Sequence, residues 1–491
     1  MKAILALDLG TTGNRVIAFS QDGEVLAKSY YEFPQIFPKP GWVEHNPQDI
    51  VDTTFRALRD VLAEVGAENV EAIGITNQRE TTVLWDRHSG KPVYDAIVWQ
   101  CRRTAEICDR FADQADVIRR KTGLPIDPYF SATKIRWLLE NVPGAEERAK
   151  KGNLAFGTID TWILWNLTGG RVHATEPSNA SRTLLFDIRR GRFDDELLDI
   201  FGVPAAILPE VRPSASRFGE TDPQITAGRA IPITGILGDQ QASLFAQGGW
   251  QEGVVKNTYG TGLFAMTSTG SSPADPGALV STVAWQMDGE TTYALEGSVF
   301  VGGSSVQWLR DGLKIIDNSA ETEPLAERLA SNEGVYFVPA LVGLGAPYWD
   351  PTARGMIIGL TRGTKREHLA RATLEAIAYQ TRDVVEEMQK LTGKKLTTLR
   401  VDGGASQNNF LMQFQADILD AVVERPVVTE TTALGAAGIA GLSAGLWTLD
   451  DFLKVRKIDR EFKPGLDAQE RERLYAKWKE AVKRARGWAR E

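Results

Sequence analysis

Ala3-Ile4-Leu5-Ala6-Leu7-Asp8-Leu9-Gly10-Thr11-Thr12-Gly13-Asn14-Arg15-Val16-Ile17-Ala18-Phe19 decides the fold. Two apolar runs, residues 3–7 and 16–19, flank a turn rich in Gly and Thr, which predicts a hairpin. The pattern returns later in the chain. Val254-Val255-Lys256 leads into Asn257-Thr258-Tyr259-Gly260-Thr261-Gly262, and Leu263-Phe264-Ala265-Met266 leads out. Strand, Gly/Thr turn, strand therefore opens each half of the chain, the mark of an internal duplication. The length of 491 residues also exceeds what one core organises, about 250–300 residues. Two domains are expected, 1–250 and 251–491, joined near residues 248–253.

Short apolar runs alternate with helical patterns elsewhere, the reading of an α/β protein. Residues 72–75, 81–85, 93–99 and 231–237 read as strands. Residues 104–120 read as one amphipathic helix ended by Gly123, with Cys101 and Cys108 in that helical stretch. Residues 467–490 read as a charged helix with a solvated face. The Ala/Gly-rich run 431–449 is only weakly apolar, so it reads as a tightly packed soluble helix and not a membrane span.

Composition narrows the function classes. Lys and Arg number 56 against 64 Asp and Glu, for a net charge of −8. That balance argues against a nucleic-acid binder. Two cysteines cannot build a disulfide framework, and four scattered histidines suggest no zinc site. Asp8 follows Met1 too closely for a signal peptide, so a cytoplasmic protein without an integral membrane segment is expected.

Several turns carry chemistry-bearing residues. Phosphate oxygens need close backbone N–H donors and small residues that admit them. Gly10-Thr11-Thr12-Gly13 and Gly260-Thr261-Gly262 both offer this, and two such turns could grip one polyphosphate from both sides. Asp8 could hold Mg²⁺ beside a phosphate, usually through water, or could simply form the turn. Asp402-Gly403-Gly404, after a strand-like run, gives a flat surface for a purine or a plain strand-to-helix turn. In Gly238-Asp239-Gln240-Gln241, Asp239 is either a helix N-cap or a general base. Arg79-Glu80 could serve polyol hydroxyls, or could be a surface pair of little energetic worth. No G-x-x-x-x-G-K-[ST] is present, and Gly441-Leu442-Ser443-Ala444-Gly445 lies in a helical run and not at a nucleophile elbow.

With these residues in view, the sequence resembles the FGGY family of carbohydrate kinases over essentially its whole length. Residues 129–141, beginning Tyr129-Phe130-Ser131-Ala132-Thr133-Lys134, match one family signature. A second runs from Gly355-Met356-Ile357-Ile358-Gly359-Leu360 to Leu374-Glu375. Within the family, residues 38–45, 75–82, 98–104, 238–242 and 343–349 resemble the members that act on glycerol. The resemblance implies two actin-like (ribonuclease H-like) ATPase domains with ATP and substrate in the interdomain cleft. It also implies transfer of the ATP γ-phosphate to glycerol, with Asp239 as general base.

By the family's pattern, Arg79, Glu80, Tyr129, Asp239 and Gln240 would bind the hydroxyls of glycerol, and Trp99 and Phe264 would flank its carbons. Thr11, Thr12, Gly13 and Arg15 would meet the nucleotide phosphates on one side and Thr261 on the other. Gly303, Gln307, Gly404 and Asn408 would line the nucleotide site, and Asp8 would hold Mg²⁺. A homodimer or homotetramer is the expected assembly. Residues 224–232 match a glycine-rich sugar-bisphosphate loop of some relatives only at Gly228 and Arg229, so that inhibition is not expected. Residues 212–235 hold no His, so activation by His phosphorylation is not expected either. Two rivals are weighed against this reading: a family member for another small polyol or sugar, and an actin-like nucleotide switch. The switch would need the Gly/Thr turns but not Arg79-Glu80 or Asp239-Gln240.

Overall fold

The computed structural model describes residues 2–489. In the first sheet, β1 (Ala3–Leu9), β2 (Gly13–Ser20) and β3 (Val25–Glu32) form an antiparallel meander. β4 (Val70–Asn77), β5 (Ala215–Glu220) and β6 (Pro232–Gly238) complete it. β4 pairs parallel with β1, β6 parallel with β4, and β5 closes the edge antiparallel to β6. β1 and β4 are buried almost throughout, because helices cover both faces, so they read as continuous apolar runs and not as alternating ones.

The second sheet repeats the plan. It contains β7 (Val254–Tyr259), β8 (Leu263–Gly270), β9 (Val280–Met287), β10 (Glu290–Val299), β11 (Thr398–Asp402), β12 (Val422–Pro426) and β13 (Ile458–Phe462). The strand order β3-β2-β1-β4-β6 of the first sheet matches β10-β8-β7-β11-β12 of the second. Each is three antiparallel strands followed by two parallel ones. The repeat of the two Gly/Thr turns is thus also a repeat of topology.

Six helices matter for the site. α1 (Pro47–Val65) covers the first sheet; the Asn46 side chain caps it, Pro47 starts it and Gly66, at φ 78°, stops it. α2 (Asp239–Ala246) follows β6, and α3 (Arg366–Thr392) backs the second sheet. α4 (Asn409–Leu419) follows the Gly403-Gly404 turn. α5 (Thr431–Ser443) is the Ala/Gly-rich run, and α6 (Ala468–Ala485) is the charged C-terminal helix. Among the described residues, no helix is long and apolar enough to cross a membrane.

α5 comes from the second half of the chain but packs on the first sheet. A Cβ added at Gly74 of β4 would lie 2.0 Å from the Ala436 carbonyl oxygen, and one at Gly235 of β6 would lie 2.6 Å from the Ala440 nitrogen. The same helix crosses α2 closely: a Cβ at Gly435 would sit 1.9 Å from the Ala242 oxygen. One apolar cluster therefore takes Ile4 and Phe19 from the first sheet, Phe245 from α2, Trp285 from the second sheet and Ala436 from α5. The halves share a core along this seam.

Some local expectations change. The stretch 104–120 is two helices, Ala105–Asp109 and Ala115–Thr122, separated by a 3₁₀ turn. The amphipathic spacing continues, but i→i+3 bonds at Arg110, Phe111 and Gln114 interrupt the ladder, and Phe111 packs on Phe201. Cys101 consequently lies before the first of these two helices; both cysteines are buried and free. Of 93–99 only Ala96–Ile97 is a strand, paired with Glu44–His45. α6 is amphipathic: Trp478 is fully buried, stacks on Tyr379 at 5.3 Å and donates Nε1–H to Asp383 Oδ2 at 2.8 Å. Arg490, with which the sequence reading ends this helix, lies outside the described residues.

Gly435→Ala should cost about 1–3 kcal/mol of stability, because backbone faces the added methyl and no flexible side chain can yield. Chemical denaturation checks this; an unchanged midpoint would contradict the close crossing.

Candidate functional site at the junction of the two halves

The site is built at the C-terminal ends of β4 and β6 and the facing strands of the second sheet. Beyond Asn77 the chain turns through Gln78-Arg79-Glu80, and Glu80 takes φ 60°, an uncommon conformation for a non-glycine residue. This places Arg79 and Glu80 inside the protein, only 2% and 1% exposed. The surface-pair reading of Arg79-Glu80 is therefore excluded. Gly238 is the N-cap of α2 and Asp239 its first residue, so Asp239 is not the cap; its Oδ1 lies 3.1 Å from Arg79 Nε. The Asp239 side chain keeps 30% exposure.

Arg79 is held on every side. Its Nη1 donates to Glu296 Oε2 at 2.5 Å and to Gln241 Oε1 at 3.1 Å. Its Nη2 donates to Glu296 Oε1 at 3.0 Å and, more loosely, to the Tyr129 hydroxyl at 3.4 Å. Arg182 completes the group: Nε donates to Glu80 Oε1 at 2.6 Å and Nη2 to Glu296 Oε1 at 3.1 Å. Two guanidinium groups and two carboxylates are thus buried together with no net charge. An unbalanced ion here would cost several kcal/mol.

The acids respond differently. Burial pushes Glu296 up, but Arg182 and Arg79 outweigh it and hold its carboxyl at about 2. Glu80 accepts from Arg182 alone, so burial wins and its pKa lies above the usual range.

An aromatic wall spans the halves. Trp99 meets Tyr129 edge-on at 5.7 Å and Phe264, from β8, at 6.4 Å. Trp99 Nε1 also donates to Thr11 Oγ1 at 2.9 Å. Trp99 therefore links the first Gly/Thr turn to β8, the strand that follows the second. Gln240 is buried, and its Oε1 accepts from Lys256 Nζ of β7.

The phosphate-type turns are rigidly braced. Gly10 N donates to the Gly13 oxygen and Gly260 N to the Gly262 oxygen, so each turn is closed by a backbone bond, the first turn being one residue longer. Behind the first turn, Gln78 Nε2 donates to the Gly10 oxygen and Gln35 Nε2 to the Thr11 oxygen. His45 stands between these two amides, 2.8 Å from Gln35 Oε1 and 3.5 Å from Gln78 Nε2. In the second half, Gly303 N donates to the Gly260 oxygen, and the helix Gly303–Gln307 starts beside Thr261. Gly403, at φ 85°, abuts the Tyr259 backbone, whereas Gly404 faces open space. Asn408 caps α4 through Leu411 N and also donates to Thr322.

Asp8 lies at the end of β1, with Arg15 at 3.9 Å. Burial first, then the nearby carboxylates of Asp239 and Glu430, push its pKa to about 6 against the pull of Arg15. Among the described residues, no group of three His, Cys, Asp or Glu could hold a metal alone. A hard carboxylate beside Gly/Thr turns could hold Mg²⁺, which commonly keeps waters and takes its other ligands from phosphates. Arg229, in the segment 224–232 that matches the sugar-bisphosphate loop only in part, donates to the Ala67 carbonyl and is engaged within the fold.

The sequence relationships agree with this arrangement. The N-terminal domain model of the FGGY family of carbohydrate kinases matches residues 3–246, and its C-terminal domain model matches residues 255–444. The chain belongs to the FGGY family of carbohydrate kinases. It is 57% identical to glycerol kinase 2 of Thermotoga maritima, over 99% of both chains. It is also 57% identical to the glycerol kinase of Aquifex aeolicus, over 100% of both. The crystal structure of Plasmodium falciparum glycerol kinase with ADP superposes with a TM-score of 0.93 at 36% identity, covering 99% of this chain and 98% of that one. Ligand-bound xylulose kinase from Lactobacillus acidophilus, 24% identical with a TM-score of 0.89, shares the fold.

Four residues of the site escaped the sequence reading: Arg182, Gln241, Lys256 and Glu296. Two left a trace. Lys256 is the one charge of β7 and Glu296 the one charge in the buried stretch 293–299 of β10, where an ion survives only with a partner.

The His45 brace yields a pH prediction. Burial holds the His45 imidazole down at about 4, and burial does the same for His173. The unfolded chain then takes up these protons first, so stability falls as pH drops from about 6.5 to about 4. Unfolding measurements across that window should show the loss. His45→Gln should flatten it by up to about 3 kcal/mol, and an identical pH slope in the variant would contradict a neutral His45.

Proposed function

We propose that this chain is a cytoplasmic ATP:glycerol 3-phosphotransferase, giving sn-glycerol 3-phosphate and ADP. The carrying observation is the contact of buried Arg79 with partly exposed Asp239 beside the Trp99–Phe264 aromatic wall. Full-length identity of 57% to enzymes named glycerol kinase supports the same reading. The wall suits a short carbon chain, and the charged groups beside it suit vicinal hydroxyls.

Phosphoryl transfer is mostly positioning and charge stabilisation. Asp239 accepts the proton of a terminal hydroxyl as its oxygen attacks the γ-phosphorus in line, and ADP leaves. Arg79 Nε holds the Asp239 carboxylate in place. Tyr129, Glu80 and Gln240 orient the remaining hydroxyls, and Trp99 with Phe264 excludes water, the competing nucleophile. Backbone N–H groups of the Gly10–Gly13 and Gly260–Gly262 turns, with the Thr11, Thr12 and Thr261 hydroxyls and Arg15, hold the phosphates. Gly303, Gln307, Gly404 and Asn408 border the nucleoside. Mg²⁺ held by Asp8, through water, would neutralise charge on the phosphates.

Purified protein should convert glycerol and Mg·ATP to glycerol 3-phosphate in a coupled assay. Asp239→Asn should lower kcat about 10³-fold while nucleotide binding, measured by calorimetry, stays. Turnover of a pentulose without turnover of glycerol would overturn the substrate. ATP hydrolysis independent of glycerol, with filament formation, would overturn the kinase reading.

A further inference from the structure

The hydroxyl-facing residues all come from the first half of the chain, yet two of them are anchored by ions of the second. Glu296, on β10, takes Arg79 in a bidentate fork, 2.5 and 3.0 Å from its two terminal nitrogens. Lys256, on β7, is fully buried and donates to Gln240 Oε1 and to the Phe264 carbonyl oxygen at 3.2 Å. We propose that Glu296 and Lys256 are positioning residues that assemble the substrate end of the site across the two halves. This rests on the kinase reading above.

The chemistry of each contact defines its task. Arg79 has five N–H donors, and the fork on Glu296 sets the plane of the guanidinium. With that plane set, Nε forms an ion pair with Asp239 Oδ1 at 3.1 Å and Nη2 leans toward Tyr129. Glu296 thereby acts on the base through Arg79. Its Oε1 also accepts from Arg182, whose Nε holds Glu80, so one carboxylate orients both members of Arg79-Glu80. Ser298 donates to the same oxygen at 3.1 Å and restrains the carboxylate within its own strand.

Lys256 fixes the other side. A glutamine amide can present either its oxygen or its NH₂ to a ligand. An ammonium group offers only donors, so its contact with Gln240 commits the oxygen and leaves the NH₂ for a substrate oxygen. The link to the Phe264 carbonyl ties that choice to the aromatic wall. Burial lowers the Lys256 ammonium to about 8, while Asp402, Asp239 and Glu296 favour its charged form. Neither Glu296 nor Lys256 faces the nucleotide turns through a hydrogen bond, so the two halves of the reaction separate experimentally.

The test is steady-state kinetics of full-length Glu296→Gln and Lys256→Met, with glycerol and ATP varied separately and melting recorded alongside. Glu296→Gln should lower kcat at least about tenfold and raise the glycerol KM, because the base loses its orienting arginine. Lys256→Met should raise the glycerol KM about tenfold with kcat within about threefold. The tenfold effects are the size that losing one charged hydrogen bond to a substrate ligand carries, and both variants should leave the ATP KM within about twofold. Glu296→Asp and Lys256→Arg keep the charges and should recover part of each loss; they carry the test if the first pair does not fold. Unchanged glycerol kinetics, or equal losses for glycerol and ATP with no recovery in the charge-keeping variants, would overturn the proposal. Failure of the wild type to turn over glycerol would overturn the kinase reading instead.

Discussion

The structure depends on how closely α5 lies against the first sheet. Gly74 and Gly235 present no side chain to it, and Gly435 presents none to α2. Glycine in a strand or helix interior is unfavourable by about 0.5–1 kcal/mol each relative to alanine, so three of them at one seam need a packing reason. The reason is the shared core: a helix from the second half seals the first sheet, while α2 of the first half bridges both sheets. With that seam closed, the ends of β4 and β6 face β7, β8 and β10. The site is a consequence of that juxtaposition.

Electrostatics then decides which residues can occupy the junction. Four ions below 3% exposure are tolerable because two arginines and two glutamates cancel and hydrogen-bond one another. Such a group is costly to break and rigid while intact. The strained backbone of Glu80 belongs to the same design, since a relaxed turn would not deliver Arg79 and Glu80 inward side by side. The net charge of −8 does not oppose a polyanionic ligand. Backbone N–H groups of two turns, stiffened by Gln35, His45 and Gln78, supply local positive potential without basic side chains.

The fold was largely legible because its signals are local. Each Gly/Thr turn sits between two apolar runs, and both runs became paired strands. Of the Ala/Gly run 431–449, residues 431–443 became the packed helix, since small residues allow close approach. The stretch 104–120 misled because amphipathic spacing marks a buried face and is blind to breaks in the hydrogen-bond ladder. Arg79-Glu80 and Asp239-Gln240 were visible as charged and polar residues just beyond strands. Their burial was not, because a charge is expected at a surface unless its partner is known.

By itself, the sequence determined the duplicated strand–turn–strand plan, the α/β class and the motif residues that place the chain in its family. These rest on interactions within a few residues, which spacing records. Only the tertiary structure decided that α5 would serve the other half's sheet, and that Glu296 and Lys256 would hold Arg79 and Gln240. The Glu296–Arg79 contact joins positions 217 apart in the chain. A buried ion chooses its partner by the shape and charge balance of the closed interior, and neither is written in the periodicity of a single strand.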